Sequence, residues 1–464
     1  MSKSGLFGFA SIGLIGAAVW TAGCGEAGAS AGLTAMVDTA GGVPRYTYPA
    51  EGGLVLGWRA DTLHRVGDVM GEDEYQFDRV PRTGLSGDSE GNLYVLDNSG
   101  TRVLSYDMEG RHRSTFGRAG QGPGELGIPI GLRIGPGDTT WVLDPINTRV
   151  TGFPPGGGDP RVVTFTNLGG FPSGGFAPLP AGFVMQASAP IRIAGGPRGF
   201  SVRSGGGGGA RAAAPAIRAG GGGRAGGAPG ITFGTGPDSA SNVIPVFRMS
   251  ADGVAGDTLY RSTPPPVNPI QIGGRAGGSA GNRTMMVIAL PPRYQPTLRW
   301  AAFADGGIVA VDTDRYELNL IAPDGSQRLI VAREMAPWPV TETEMEYARE
   351  QIRNNPPTVF GGNIDVQQII QQQIDNLTFA ETVPRIAALA VDPTDRVWVG
   401  VSLTTPGSTD RVDLYSKTGE FLGSLSGFAI PDAFFKDGRA ASLVRDADTD
   451  VQQVAIIRIV ESND

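Results

Sequence analysis

Short apolar runs broken by Gly, Asp and Pro turns fill most of this chain, and helical periodicity is rare. Strands of four to six residues between such turns are the element this pattern predicts. The runs also repeat. Asn92-Leu93-Tyr94-Val95-Leu96-Asp97 is followed by Thr101-Arg102-Val103-Leu104-Ser105-Tyr106, and Thr140-Trp141-Val142-Leu143-Asp144 by Thr148-Arg149-Val150-Thr151-Gly152-Phe153. Asp97 to Asp144 and Arg102 to Arg149 are both separated by 47 positions. That spacing suits a unit of four antiparallel strands running from an inner to an outer edge.

The unit recurs with drift. Ile308–Asp312 is followed by Tyr316–Ile321 and Gln327–Ala332; Arg396–Gly400 follows Arg385–Val391 and precedes Arg411–Tyr415. A degraded copy starts near Gly174, passes Phe183-Val184-Met185 and resumes at Val243–Arg248. The last copy, Ala441–Arg445 and Val454–Val460, ends before its outer strand, and Thr62–Gly67 resembles the strand it lacks. The expected architecture is therefore all-β: a six-bladed β-propeller over residues 53–464, closed by an N-terminal strand. Such closure removes strand edges that would pair with other chains.

Three segments depart from the strand pattern. Residues 195–236 hold 17 glycines and five arginines, and no carboxylate lies between Asp159 and Asp238. Residues 272–283 repeat the Gly/Arg theme around Gly273-Gly274-Arg275. Both are expected to be disordered loops, since they bury too little apolar area to offset chain entropy. Residues 341–376 are a helical insertion: Thr341-Glu342-Thr343-Glu344 fits a capping box, and Val366, Ile369, Ile370 and Ile374 form a helical stripe.

Gly117-Arg118-Ala119-Gly120-Gln121-Gly122-Pro123-Gly124-Glu125, leading to Ile128-Pro129, together with the Leu-Asp…Thr-Arg-Val units, resembles NHL-type repeats. More broadly, the chain is similar to bacterial six-bladed β-propeller lipoproteins. The resemblance is strongest over residues 62–153 and implies fold rather than activity, because propellers host many chemistries.

The amino terminus bears on compartment. Lys3, the apolar stretch Gly5–Trp20 and small residues before Cys24 read as an export signal over residues 1–23. Ala22-Gly23-Cys24 resembles a lipobox, although Thr21 stands where such sequences prefer Leu. The resemblance implies lipidation of Cys24, and Gly25 after it implies the bacterial outer membrane, on its periplasmic or surface face. Residues 24–52 are then expected to be a flexible Gly/Ala-rich tether.

Composition narrows the chemistry. The chain has 464 residues, with 38 Lys and Arg against 46 Asp and Glu, a formal charge of −8, which disfavours general attraction to nucleic acid. One cysteine and two histidines, His64 and His112, exclude a disulfide framework, a Cys-rich zinc site and a three-histidine metal centre within the chain. The recurring Asp97, Asp144 and Asp312 suggest either a metal ring or turn-capping carboxylates; the second reading is preferred. No metal or other cofactor is expected, and calcium has no assembled ligand set. Val80-Pro81-Arg82 and Val383-Pro384-Arg385 are the same tripeptide at equivalent places, and Arg299 opens the inner strand between them. Arg82, Arg299 and Arg385 are expected to converge on one mouth of the central channel, where guanidinium groups take carboxylate or phosphate. The expected function is a non-catalytic binding scaffold, monomeric and held at the membrane by its lipid. Its partner would be an envelope protein, a glycan or an anionic small molecule. The alternative is a hydrolase or lactonase acting on a carbohydrate or acidic small molecule.

Overall fold

A computed structural model describes residues 33–166, 168, 170–188, 192–194, 230–232, 243–264, 269–273, 285–289, 292–354, 366–446 and 449–462. Six antiparallel sheets stand around a central channel, as expected for the propeller. The first blade is Leu85–Gly87, Leu93–Asp97, Arg102–Tyr106 and His112–Phe116. The second is Gly131–Ile134, Thr140–Asp144, Arg149–Phe153 and Arg161–Thr164. The third is Phe171–Leu179, Gly182–Ser188, Ile244–Ser250 and Ala255–Ser262, with the long Gly/Arg segment inserted between its second and third strands. The fourth is Leu298–Ala302, Ile308–Asp312, Glu317–Ile321 and Gln327–Glu334, and the fifth Ile386–Val391, Val397–Val401, Arg411–Tyr415 and Phe421–Ser426. The sixth takes Ala433–Phe434, Arg439–Arg445 and Gln452–Val460 from the C-terminal end. Its outer strand is the N-terminal Arg59–Val66, paired antiparallel to Gln452–Val460.

The apolar runs are continuous because a blade is buried on both faces. Leu93 and Val95 pack toward the sixth blade, with Val454 and Ile456, whereas Leu96 packs toward the second, with Leu132 and Val142. The period of two is present, but each half of it meets a different neighbour. The core is thus a ring of radial interfaces between blades.

The repeated Asp and Arg hold the loops between blades. Asp97 is fully buried and accepts the Arg79 amide at 3.0 Å, while Arg102 reaches the Gln76 carbonyl at 2.7 Å. Asp144, also fully buried, accepts the amides of Gly127 (2.7 Å) and Ile128 (3.1 Å), and Arg149 donates to the carbonyls of Gln121, Gly122 and Glu125. The carboxylate takes amides of the incoming loop and the guanidinium takes its carbonyls. Between them the chain turns through Thr101 and Thr148, both left-handed, at φ 51° and 50°.

Two expectations need adjustment. Residues 36–49, assigned to the flexible tether 24–52, form a hairpin of Met36–Ala40 and Val43–Pro49. Its second strand pairs in parallel with Gln327–Glu334, making the fourth sheet six-stranded. Gly41 and Gly42 are both left-handed (φ +61° and +86°), which a two-residue hairpin turn requires. Tyr48 then inserts against Tyr415 and Phe421, and its hydroxyl donates to the Gly419 carbonyl at 2.9 Å. The strap continues across the fifth blade, where Leu56 N–H donates to Ser424 O at 2.8 Å. Second, the ends of the Gly/Arg segments are paired: Arg192–Ala194 with Gly230–Thr232, and Pro269–Gly273 with Met285–Ala289. The remainder of both expected loops lies outside the described residues, as does Cys24.

The helical insertion is present as α1 (Glu342–Asn354) and α2 (Val366–Asp375). Glu344 reaches back to the Thr341 amide at 2.8 Å, the expected half of the capping box. The Thr341 hydroxyl bonds to the same carboxylate rather than to a first-turn amide.

Candidate functional site

All inner strands begin on one face of the disc, the face that also carries the turns between second and third strands and the loops joining blades. In four blades an apolar-Pro dipeptide leads in: Val80-Pro81, Ile128-Pro129, Val383-Pro384 and Ile430-Pro431. The residues after proline are Arg82, Ile130, Arg385 and Asp432. Proline fixes φ and forgoes an amide donor, so each entry approaches the channel in an extended conformation.

Arg82 opens a short 3-10 turn, Arg82–Gly84, and projects into solvent at the channel mouth with its side chain 84% exposed. Its nearest carboxylate is Asp432, at 3.5 Å from Nη1. Asp88, six residues further along the same blade, is occupied by Asn92 and Tyr94. Asp432 is largely enclosed: Oδ2 accepts the Leu443 amide at 2.7 Å, and burial raises its pKa despite Arg82 and Arg133 nearby. Arg133, on the inner strand of the second blade, donates through Nη1 to the carbonyls of Thr83 (3.1 Å) and Leu132 (2.8 Å). Burial lowers its pKa, with Asp432 opposing.

Arg299 faces this group from the fourth blade, three blades from Arg82 and so opposite it in a six-bladed ring. Solvent reaches it, yet the channel wall encloses enough of it that desolvation lowers its pKa, and the charge of Arg82 lowers it further. The positions pairing with the equivalent second-strand residues elsewhere are Gly131, opposite Leu143, and Arg299, opposite Val311. One blade therefore carries a guanidinium where another leaves space. Arg299 has no carboxylate partner among the described residues.

Arg385 is not part of this group. Its Nη2 donates to the Ala336 carbonyl at 3.0 Å, and its guanidinium lies over the Trp338 ring, 4.9 Å from the centroid. Burial lowers its pKa, with neither Arg82 nor Arg299 contributing. The structure therefore brings two of the three expected arginines together and adds Arg133 and Asp432. Asp432 follows Ile430-Pro431 as Arg82 follows Val80-Pro81, and that parallel was the available signal. Arg133 had none, because its unit carries Ile130 after the proline.

The other candidates sit elsewhere. His64 and His112 are on outermost strands, and His112 Nε2 lies 2.8 Å from Thr115 Oγ1. Asp312 accepts the hydroxyls of Tyr260 (2.9 Å) and Ser262 (2.5 Å), as Asp97 and Asp144 accept loop amides. Among the described residues no three His, Cys, Asp or Glu side chains are arranged to hold a metal ion.

No protein-family profile matches the chain, and no curated protein matches it. Solved structures with similar topology include a streptogramin B lyase (10% identity, TM-score 0.34, covering 87% of this chain and 98% of that one). A gluconolactonase from Xanthomonas campestris aligns at 12% identity and TM-score 0.37, over 88% and 92% of the two chains. A PQQ-bound aldose sugar dehydrogenase from Streptomyces coelicolor aligns at 12% and 0.36, over 88% and 100%. At such identities and scores no activity transfers to this chain; the propeller assignment rests on its own strand topology.

Proposed function

We propose that this chain is an exported, lipid-anchored propeller with NHL-type repeats that binds a small anion at the channel mouth without transforming it. The observation that supports this is Arg299: a guanidinium that solvent reaches, without a carboxylate partner among the described residues and facing a second, exposed guanidinium, Arg82. Two cations held opposite each other repel, and an anion bridging them removes that repulsion. Arg forks match carboxylate and phosphate oxygens in pairs, so an acidic sugar or other dicarboxylate is the favoured class. The signal-like start and lipobox-like Ala22-Gly23-Cys24 support export and anchoring at the bacterial outer membrane, with an envelope glycan or protein as the source of the anion. Titration calorimetry with galactarate, a sugar dicarboxylate, tests the reading. Saturable binding that disappears in R82Q/R299Q supports it, and binding unchanged in that variant removes it. Replacing Cys24 by Ser should release the protein from membranes; retention there would overturn the anchor.

A second reading, hydrolysis of a lactone or related acidic small molecule, is favoured by Asp432. A carboxyl group whose pKa burial raises, set beside anion-binding arginines, has the makings of a general acid or base. Turnover of a sugar lactone by the wild type and its loss in D432N, with galactarate binding retained, would select this reading.

A further inference from the structure

We propose a second ligand site, separate from the channel, that takes a monocarboxylate carried on a compact apolar body. A cleft of about 550 Å³ opens where the N-terminal hairpin meets the fourth blade, the segment Met335–Trp338 and the approach to the fifth blade at Thr382–Arg385. That volume is in the range of sites for small organic ligands.

The charges in its wall do not all find partners. Arg45 pairs with Glu317 at 2.6 Å, Arg333 with the buried Asp413 at 2.6 Å, and Arg315 lies 3.8 Å from Asp314. Arg385 has no carboxylate among the described residues. Its Nη2 is used by the Ala336 carbonyl, its Nε is buried with no acceptor among the described residues, and Trp338 supports its flat face. Stacking fixes the plane of the guanidinium and leaves Nη1 at its rim for an acceptor. A cation held this way has lost little further entropy when it meets a carboxylate.

The rest of the wall sets the ligand class. Met36, Met335, Pro337 and Val383 supply apolar surface, which suits a hydrocarbon body. Asp38 and Glu334 also line the cleft, and their charge disfavours phosphate and dianions that the channel arginines would accept. One negative charge on an apolar frame satisfies Arg385 without provoking those carboxylates.

Benzoate is the probe, titrated into the purified full chain by calorimetry. Saturable one-to-one binding is expected. It should weaken by at least about tenfold in R385Q, since a charge-assisted carboxylate contact is lost. R385K, which keeps the charge but not the stacked fork, should fall between the two. R82Q/R299Q should bind benzoate as the wild type does, which separates this site from the channel. Circular dichroism of R385Q and R385K confirms folding. Absence of saturable binding, equal affinity in R385Q, or loss in R82Q/R299Q would each overturn the assignment.

Discussion

Arg333 of the fourth blade and Asp413 of the fifth form an ion pair at 2.6 Å in which neither side chain is exposed to solvent. The contact is one of charge: Nη1 approaches Oδ2 without hydrogen-bond alignment. The remaining donors and acceptors are engaged around it. Asp413 takes the Tyr316 hydroxyl at 2.8 Å, the Ser424 hydroxyl at 2.6 Å and Arg411 Nη2 at 3.2 Å. Arg333 gives Nε to the Pro49 carbonyl at 2.8 Å and Nη2 to that of Gly52 at 3.1 Å. The pair thus joins two blades to the strap that crosses them.

Removing Arg333 leaves Asp413 with Arg411 as its remaining cation but strips the Pro49 and Gly52 carbonyls of their donor, a loss of about 1–3 kcal/mol. R333M should therefore lower the melting temperature by several degrees in scanning calorimetry. Limited proteolysis should cut more readily within residues 36–52, whose carbonyls lose their donor. R333M/D413L also takes the carboxylate from the largely buried Arg411, so the double variant should be no more stable than R333M. A single variant melting with the wild type would show that the strap is held by its β-pairing alone.

Arg299 predicts the opposite sign. Its guanidinium is partly desolvated and faces the charge of Arg82, so in the absence of ligand it opposes folding. R299Q should leave the melting temperature unchanged or slightly raised while abolishing galactarate binding in calorimetry. Loss of stability with retained binding would mean that Arg299 supports the wall and does not serve a ligand.

Asp144 and Asp312 occupy the same place in the repeat yet differ in what they hold. Asp144 accepts two loop amides and the Asn147 side chain, at 2.8 Å, whereas Asp312 accepts two hydroxyls. Hydroxyls can rotate to other acceptors, but amides fixed by the backbone cannot. D144A should cost about 2–4 kcal/mol, from buried donors left unpaired. D312A should cost roughly half as much. Denaturant unfolding of the two variants decides it; equal losses would show that the amides find water.

The propeller was legible because burial on both faces of a blade leaves continuous apolar runs, and because Asp97/Arg102 and Asp144/Arg149 repeat the same loop-holding chemistry. The closing strand was legible for a related reason: Thr62–Gly67 repeats Ser114–Gly117. The hairpin at Met36–Pro49 was hidden by composition. Its Gly41-Gly42 turn reads as part of a Gly/Ala-rich tether until Tyr46 and Tyr48 are seen alternating beside it. Arg385 misled because the tripeptide it shares with Arg82 specifies a backbone entry, not a side-chain direction. At the fifth entry, Trp338, which precedes the helical insertion, offers a stacking surface that the first blade lacks. Asp432 was readable only by extending the apolar-Pro pattern to the last blade, where the sign of the charge changes.

Glu344 makes the helical insertion sensitive to acid. Its carboxylate accepts the Thr341 hydroxyl and amide and the Trp338 indole N–H, and these bonds lower its pKa to about 2. An unfolded glutamate titrates at about 4.3. A carboxyl group lowered on folding contributes stability that is fully present above the unfolded value and disappears as pH falls through the folded one. Protection of the α1 amides in hydrogen exchange, corrected for intrinsic rates, should thus hold from neutral pH to about 4.5 and decline between there and about 2. E344Q keeps an acceptor but loses the charge, so its protection should be lower at neutral pH and flat across that window. Because Glu344 also ties Trp338 to the helix start, the same variant should loosen the Trp338 ring beneath Arg385 and weaken benzoate binding. An acid profile identical in E344Q and wild type would assign the pH dependence to another group.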